Sequence, residues 1–73
     1  MWNKEEALRA AKKVFDRDGS VKVRVDALDP AGGGGYALDI KGNEDADVET
    51  VIYSERSQAE EDGQMVMKLF HKR

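Results

Sequence analysis

Several side chains in the sequence could take part in catalysis, but none stands in the spacing that a reaction requires. Acid–base catalysis needs two carboxyl groups held in different environments within a cleft. Carboxylates are plentiful, as at Glu60, Glu61 and Asp62, but a chain of 73 residues has little interior in which to enclose such a pair. The single histidine, His71, has no second ligand or nucleophile at a meaningful spacing, and no serine has a base partner. We therefore predict that the protein is not an enzyme and has no catalytic residue.

A run of four glycines, Gly32–Gly35, raises the question of phosphate binding. Phosphate-binding loops present glycine amides to the anion and are followed by the N-terminus of a helix. Here the alternating segment 36–41 follows, which is typical of a strand, and no Gly-Lys-Ser or Gly-Lys-Thr sequence is present. We interpret residues 29–35 as a flexible hairpin connection and leave open a role as a mobile contact element, since loops often carry function.

Two acidic segments contain some of the residues of a cation site. Asp16–Ser20 is similar to part of a calcium-binding loop, but Val21 occupies the position where such a loop requires glycine. We interpret it as the end of a helix followed by a turn. Asn43–Asp47 could hold a cation, but a solvated turn is the better interpretation. The chain has no cysteine, which excludes disulfides and thiolate metal sites, and we predict neither a metal nor a cofactor.

The first element that would position these side chains is a helix over residues 3–17. Asn3 is a favourable N-cap residue, and Glu6 three positions later completes a pair similar to a capping box. Gly19 is suited to end the helix in a left-handed conformation. Apolar residues recur at three- and four-residue spacing, at Ala7, Leu8, Ala11, Val14 and Phe15. This single stripe predicts a helix that covers one side of a sheet.

Four strands are predicted after the helix. They extend over residues 20–28, 36–41, 48–55 and 64–71, the first two with strict alternation of apolar and polar residues. Asp62-Gly63 is a signal for a two-residue hairpin turn before the last strand. Residues 59–61 favour a helical turn instead, so residues 55–61 stay undecided between helix and extended chain. The predicted fold is one α+β domain over residues 1–73, with one N-terminal helix packed on a curled four-stranded antiparallel sheet (α-β-β-β-β).

The last two predicted strands carry apolar residues on both of their faces. One helix can cover only one side of a sheet, so the second apolar face needs a partner, a strong curl of the sheet or a ligand. The candidate interface on this second face consists of Val51, Tyr53, Val66 and Phe70. We predict that the chain forms a homodimer, or a complex with another protein, through this surface.

Charge is unevenly distributed along the chain, whose net charge is −3. Residues 1–25 have seven Lys or Arg and four acidic residues, residues 26–62 have two and eleven, and residues 63–73 have three and none. Nucleic-acid footprints are normally basic and clustered, so we do not expect nucleic-acid binding. No apolar run reaches the about 20 residues of a membrane span, and the N-terminal residues do not resemble a signal peptide. We expect a cytoplasmic protein without membrane association.

The order of the predicted elements resembles that of known small domains. A helix followed by four strands is similar to the cystatin-like fold. The stretch from Glu5-Glu6-Ala7 through Tyr36–Ile40 to Val48–Val51 resembles PepSY-type domains. Both resemblances imply a helix on an antiparallel sheet, but not protease inhibition, because the cystatin inhibitory hairpin sequence is missing. A double-stranded-RNA-binding domain also begins with a helix and three strands, but it ends in a second helix with a basic start, where residues 64–71 predict a strand.

Three functions are compatible with this pattern. The leading prediction is a small non-enzymatic binding or scaffold domain that self-associates through the second sheet face. The first alternative is a designed or orphan stable fold without biochemical activity, whose sheet curls enough to bury both faces. Dense charge pairing favours design, whereas a tetraglycine loop argues against it. The second alternative is a nucleic-acid-binding module that uses the basic residues of the helix and of the segment 71–73.

Overall fold

The chain folds into two helices and three strands over the residues that the computed structural model describes, 2–42 and 48–70. The elements are α1 (Trp2–Asp18), β1 (Lys22–Ala27), β2 (Tyr36–Lys41), β3 (Glu49–Tyr53) and α2 (Arg56–Leu69). The α+β class and the N-terminal helix are therefore confirmed. The order is α-β-β-β-α, so the predicted order of one helix and four strands is corrected at its last element.

The three strands form one antiparallel sheet in the order β1-β2-β3. Leu38 in the central strand stands opposite Val25 of β1 and Val51 of β3. Because side chains alternate between the two faces of a strand, this register brings the apolar residues of all three strands to one face. The other face is mostly polar, with Arg24 opposite Asp39 and Asp39 opposite Thr50. The alternation predicted for the first two strands is confirmed.

Helix α1 lies on the apolar face through the predicted stripe. Ala7, Ala11 and Val14 are fully buried in the core. The helix ends where predicted, because Gly19 adopts a left-handed conformation with a φ of 76° and its N–H donates to the Phe15 carbonyl. Its beginning differs from the prediction. The helix starts at Trp2, so Asn3 lies within the first turn and its side-chain amide donates to the Ile52 carbonyl of β3.

The last element is a helix, and the strand predicted over residues 64–71 is wrong. Helix α2 begins at Arg56, which also decides the open question of residues 55–61 in favour of helix. The Asp62-Gly63 pair lies in the middle of this helix and makes no hairpin turn. The residues that α2 buries recur at helical spacing, at Ala59, Asp62, Gly63 and Val66. A carboxylate and a glycine occupy the centre of this stripe, so apolar periodicity does not reveal it.

A close approach of α2 to the sheet explains the glycine in mid-helix. A Cβ atom at Gly63 would lie 3.2 Å from Leu38 Cδ1 and 3.5 Å from Val23 Cγ2. Glycine inside a helix costs about 1 kcal/mol relative to alanine, and here the missing side chain lets the helix backbone pack directly on β1 and β2. Two helices therefore share the apolar face that the sequence assigns to one. The residues they enclose with the sheet include Leu38, Ile40, Val51, Tyr53, Ala59 and Val66.

Candidate functional site

The four residues of the predicted interface lie in or against the core of a single chain. Val51, Tyr53 and Val66 are 3%, 2% and 0% exposed. Phe70 is half-buried, and its ring centroid lies 5.7 Å from that of Phe15 in α1. These four side chains do not form an outer sheet face. The physical reason is α2, because a helix brings Val66 and Phe70 to the same side as Val51 and Tyr53, where a fourth strand would have presented two faces.

A hydrogen-bond network surrounds the buried Asp62 carboxylate. The Tyr53 hydroxyl donates to Asp62 Oδ2 at 2.7 Å, and Gln58 Nε2 donates to Asp62 Oδ1 at 3.1 Å. Burial raises the pKa of the Tyr53 hydroxyl well above its ordinary value, and its hydrogen bond to the Asp62 carboxylate raises it further. Asp62 is only 2% exposed, so no substrate reaches its carboxylate. The network connects β3 to α2 and is structural.

The other side chains that could take part in catalysis or metal binding do not lie together in one site of the described structure. Glu60 and Glu61 are exposed on α2, and Glu60 pairs with Arg56 across one helical turn at 3.0 Å. Among residues 2–42 and 48–70, no group of three or more His, Cys, Asp or Glu side chains could hold a metal ion. Neither helix of this part of the chain has the length and apolar content needed to cross a membrane. His71 and the segment Asn43–Asp47 lie outside the described residues.

The glycine-rich segment is a turn with defined geometry. Asp29 caps a short 3-10 helix over Pro30–Gly32 by accepting a hydrogen bond from the Ala31 N–H at 2.9 Å. The glycines at 33, 34 and 35 then follow with φ values of 109°, 73° and 99°. A strand follows this turn, as the sequence predicts, so no helix N-terminus is present to bind a phosphate.

An open groove of ≈790 Å³ lies between β1 and α2. Val23 and Val25 of β1 are half-buried beneath it, and Met67 of α2 is 38% exposed above it. The charged rim of the groove includes Glu60 and Lys68. We call this surface, lined by Val23, Val25, Glu60, Gln64, Met67 and Lys68, the β1–α2 groove.

The two outer edges of the sheet differ in their surroundings. Beside β3, Asn3 of α1 donates to the Ile52 carbonyl, and Lys13 pairs with Glu49 at 3.8 Å. Charged side chains commonly protect an edge strand against further pairing, and both edges carry them, but at β3 a backbone carbonyl is also occupied by α1. Beside β1, no strand of the described chain pairs with the outer edge, and the neighbouring surface is the β1–α2 groove. The β1 edge is therefore the better place for another chain to add.

The sequence does not reveal this groove, because residues 64–71, with Met67 among them, predict a strand. The signal that was available is helical spacing. Gln64 and Met67 stand next to the buried positions Gly63 and Val66 in the chain, which places them at the border of the buried stripe of α2. Border residues of a helix that packs beside an edge strand line any groove between the two.

The arrangement defines a class: a small α+β domain in which two helices cover one face of a three-stranded antiparallel sheet. In comparisons with known proteins, no family, no curated relative and no solved structure matches the chain. The resemblance to cystatin-like and PepSY-type domains stays a prediction.

Proposed function

We propose that the protein is a small non-enzymatic binding or scaffold domain that self-associates through the outer edge of β1 and the β1–α2 groove. The function is the one that the sequence predicts, but the surface is different, because Val51, Tyr53 and Val66 are enclosed in the core. The observation that supports the proposal is the combination of an edge strand without a partner in the described chain and an apolar groove beside it.

The physical basis is strand addition. An extended segment that pairs with a sheet edge gains backbone hydrogen bonds, and its side chains gain specificity from adjacent pockets. At this edge, the added chain would also cover the half-buried Val23 and Val25 and the exposed part of Met67. Covering apolar area contributes about 25 cal/mol for each Å² removed from water.

The test is sedimentation equilibrium of the wild-type chain and of two variants of α2 over micromolar to millimolar concentrations. Met67→Glu places a charge in the groove and should weaken the dimer about tenfold or more. Leu69→Glu makes the same change two residues later, at a side chain that is 62% exposed and outside the groove, and should leave the dimer unchanged. A wild-type chain that stays monomeric at all concentrations would contradict the proposal and favour a stable fold without biochemical activity.

A second candidate is the nucleic-acid-binding module, which one observation now favours. The described order α-β-β-β-α includes the second helix that a double-stranded-RNA-binding domain requires. The required basic start of that helix is not present, because Arg56 is accompanied by Glu55, Glu60 and Glu61. Fluorescence anisotropy with an RNA duplex of about 16 base pairs tests this candidate. We expect no binding at low salt. Binding whose association constant falls linearly with salt concentration on a log–log plot would support the nucleic-acid-binding module instead.

A further inference from the structure

We infer that two copies of the chain join β1 to β1 in one antiparallel register, centred on Val25, so that their sheets form one continuous six-stranded sheet. This inference rests on the proposed function and names the geometry of the association. The features of the molecule that support it are the direction of the free backbone groups of β1, the charge pattern along β1, and the position of α2 relative to the new strand pair.

The backbone of β1 presents a set of hydrogen-bonding groups to the free edge. In an antiparallel pair, directly opposed residues alternate between exchanging hydrogen bonds and pointing their N–H and C=O groups outward. The Leu28 N–H donates to the Gly35 carbonyl at 2.9 Å, which assigns that position to the hydrogen-bonded set. Counting back along the register, the outward set is therefore Val23, Val25 and Ala27. A strand pairing with this edge finds donors and acceptors at those three residues.

The charges of β1 select one register. A two-fold axis perpendicular to the sheet keeps the helices of both copies on one side, and it opposes residues of the same face, so its centre falls on a residue. A centre at residue 23 opposes Lys22 to Arg24, a centre at residue 24 opposes Arg24 to itself, and a centre at residue 26 opposes Asp26 to itself. A centre at residue 22 opposes Lys22 to itself, and a centre at residue 27 leaves the two copies of β1 with almost no overlap. Among the remaining centres, only that at Val25 avoids like charges, and it opposes Arg24 of each copy, which pairs with Asp26 of its own chain at 3.0 Å, to Asp26 of the other.

Helix α2 supports the same two-fold arrangement. Strand pairing at about 4.8 Å brings the two β1–α2 grooves together, so that the α2 helices of the two copies face each other. Glu60 and Lys68 both line the groove and stand one turn on either side of Gln64. Because a two-fold axis makes the helices antiparallel, Glu60 of one copy is directed toward the Lys68 end of the other. The Met67 side chain of each copy is then covered by α2 of the other copy.

Charge reversal tests the register directly. Arg24→Asp opposes two carboxylates at each of the two positions, and Asp26→Arg opposes two guanidinium groups, so each variant alone should dimerise about tenfold or more weakly than wild type. An equimolar mixture of the two variants opposes unlike charges at both positions and should dimerise as the wild type does. Sedimentation equilibrium measures each sample, and far-UV circular dichroism confirms that both variants are folded.

Lys22→Asp is the matched control, because it changes the charge by the same amount on the same face of β1. In the register centred on Val25, Lys22 lies opposite Leu28, so this variant should dimerise within about twofold of wild type. The register is overturned if the mixture of Arg24→Asp and Asp26→Arg stays as weak as its components while the wild type dimerises. In that case the proposed self-association still stands, whereas a wild type that is monomeric at every concentration overturns both.

Discussion

At the scale of single residues, the fold depends on how Asp62 is satisfied inside the core. A buried carboxylate is costly unless it is hydrogen-bonded. Both of its oxygens accept hydrogen bonds, from the Tyr53 hydroxyl at 2.7 Å and from Gln58 at 3.1 Å. The Tyr53 oxygen also lies 3.3 Å from the Asn3 carbonyl of α1. The polar atoms thus connect α1, β3 and α2 at a position where apolar contacts alone would not specify the register of α2.

Tyr53→Phe should destabilise the fold by about 1–3 kcal/mol, because it leaves one oxygen of the Asp62 carboxylate buried without its donor. Urea denaturation at neutral pH measures the change. Tyr36→Phe is the matched control, since Tyr36 stands directly opposite Tyr53 in the sheet and is half-buried, with no side-chain hydrogen bond in the described structure. We expect the control to cost less than about 0.5 kcal/mol. Equal losses of stability in both variants would show that the Tyr53–Asp62 hydrogen bond does not make a specific contribution to stability.

The same hydroxyl predicts a loss of stability at alkaline pH. The pKa of Tyr53 is raised above its ordinary value of about 10 in the folded state, first by burial and then by Asp62. Above about pH 10 the unfolded chain releases the tyrosine proton while the folded chain retains it, so the free energy of unfolding falls as pH rises. The decrease between about pH 9 and pH 11 should be steeper for wild type than for Tyr53→Phe. Parallel profiles would contradict the prediction.

At the scale of elements, the glycine-rich turn is more specific than its composition indicates. Its backbone is closed by the Gly33 N–H on the Pro30 carbonyl and by the Gly34 N–H on the Asp29 carbonyl, both at 3.1 Å. Three successive residues with positive φ strongly favour glycine at those positions. The glycines in the sequence predict the loop. They do not predict that the loop has one defined conformation, because glycine permits both a flexible backbone and a left-handed one.

Gly35→Ala should destabilise the fold by about 1–3 kcal/mol. Gly35 has a φ of 99°, and an added Cβ would lie 3.0 Å from the Tyr53 carbonyl oxygen. Gly32→Ala is the control, since its φ is not positive and an added Cβ meets nothing within 4 Å. We expect this control to be neutral or to stabilise by up to about 1 kcal/mol, because alanine restricts the unfolded chain. Thermal melts of both variants measure the change in stability. If the loop is flexible, the two variants should shift the melting temperature by small and similar amounts.

The elements also show which parts of the fold could be predicted. Helix α1 and the first two strands follow from local periodicity, because their buried positions are occupied by Ala, Val, Leu and Ile. In α2, Asp62 and Gly63 occupy buried positions for reasons of tertiary structure, one for the hydroxyl of Tyr53 and the other for the close approach to β1 and β2. The remaining apolar residues of α2 then give the alternating pattern of a strand. The β1–α2 groove could not be predicted either, because it exists only where these two elements meet.

At the scale of the whole molecule, α2 changes how much of the apolar surface of the sheet is covered. The second helix covers apolar residues that one helix could not, and the open face of the sheet is left mainly to charged and polar side chains. The large apolar side chains exposed on that face are Val48 and Ile52. The proposed site of self-association therefore moves from a bare sheet face to a sheet edge. That edge would join two copies side by side rather than face to face.

The contact between α1 and the end of α2 gives a test of how the two helices pack against each other. The rings of Phe15 in α1 and Phe70 after α2 lie 5.7 Å apart at an angle of 53°, the tilted arrangement that aromatic pairs favour. Phe15→Leu and Phe70→Leu should each destabilise the fold by about 1 kcal/mol, and the double variant should show a coupling free energy of about 0.5–1.5 kcal/mol.

The control for this cycle pairs Phe15→Leu with Ile52→Val, on the opposite face of the sheet, where effects should add within about 0.5 kcal/mol. Urea denaturation of the four chains in each cycle gives the coupling. Because Phe70 follows the last turn of α2, a positive coupling means that the C-terminal end of α2 is docked on α1 in solution. Phe70→Glu should then lower the free energy of unfolding rather than only dissociate a dimer. If that variant keeps the stability of the wild type and the cycle shows no coupling, Phe70 is a surface residue and the docking of the last turn of α2 is wrong.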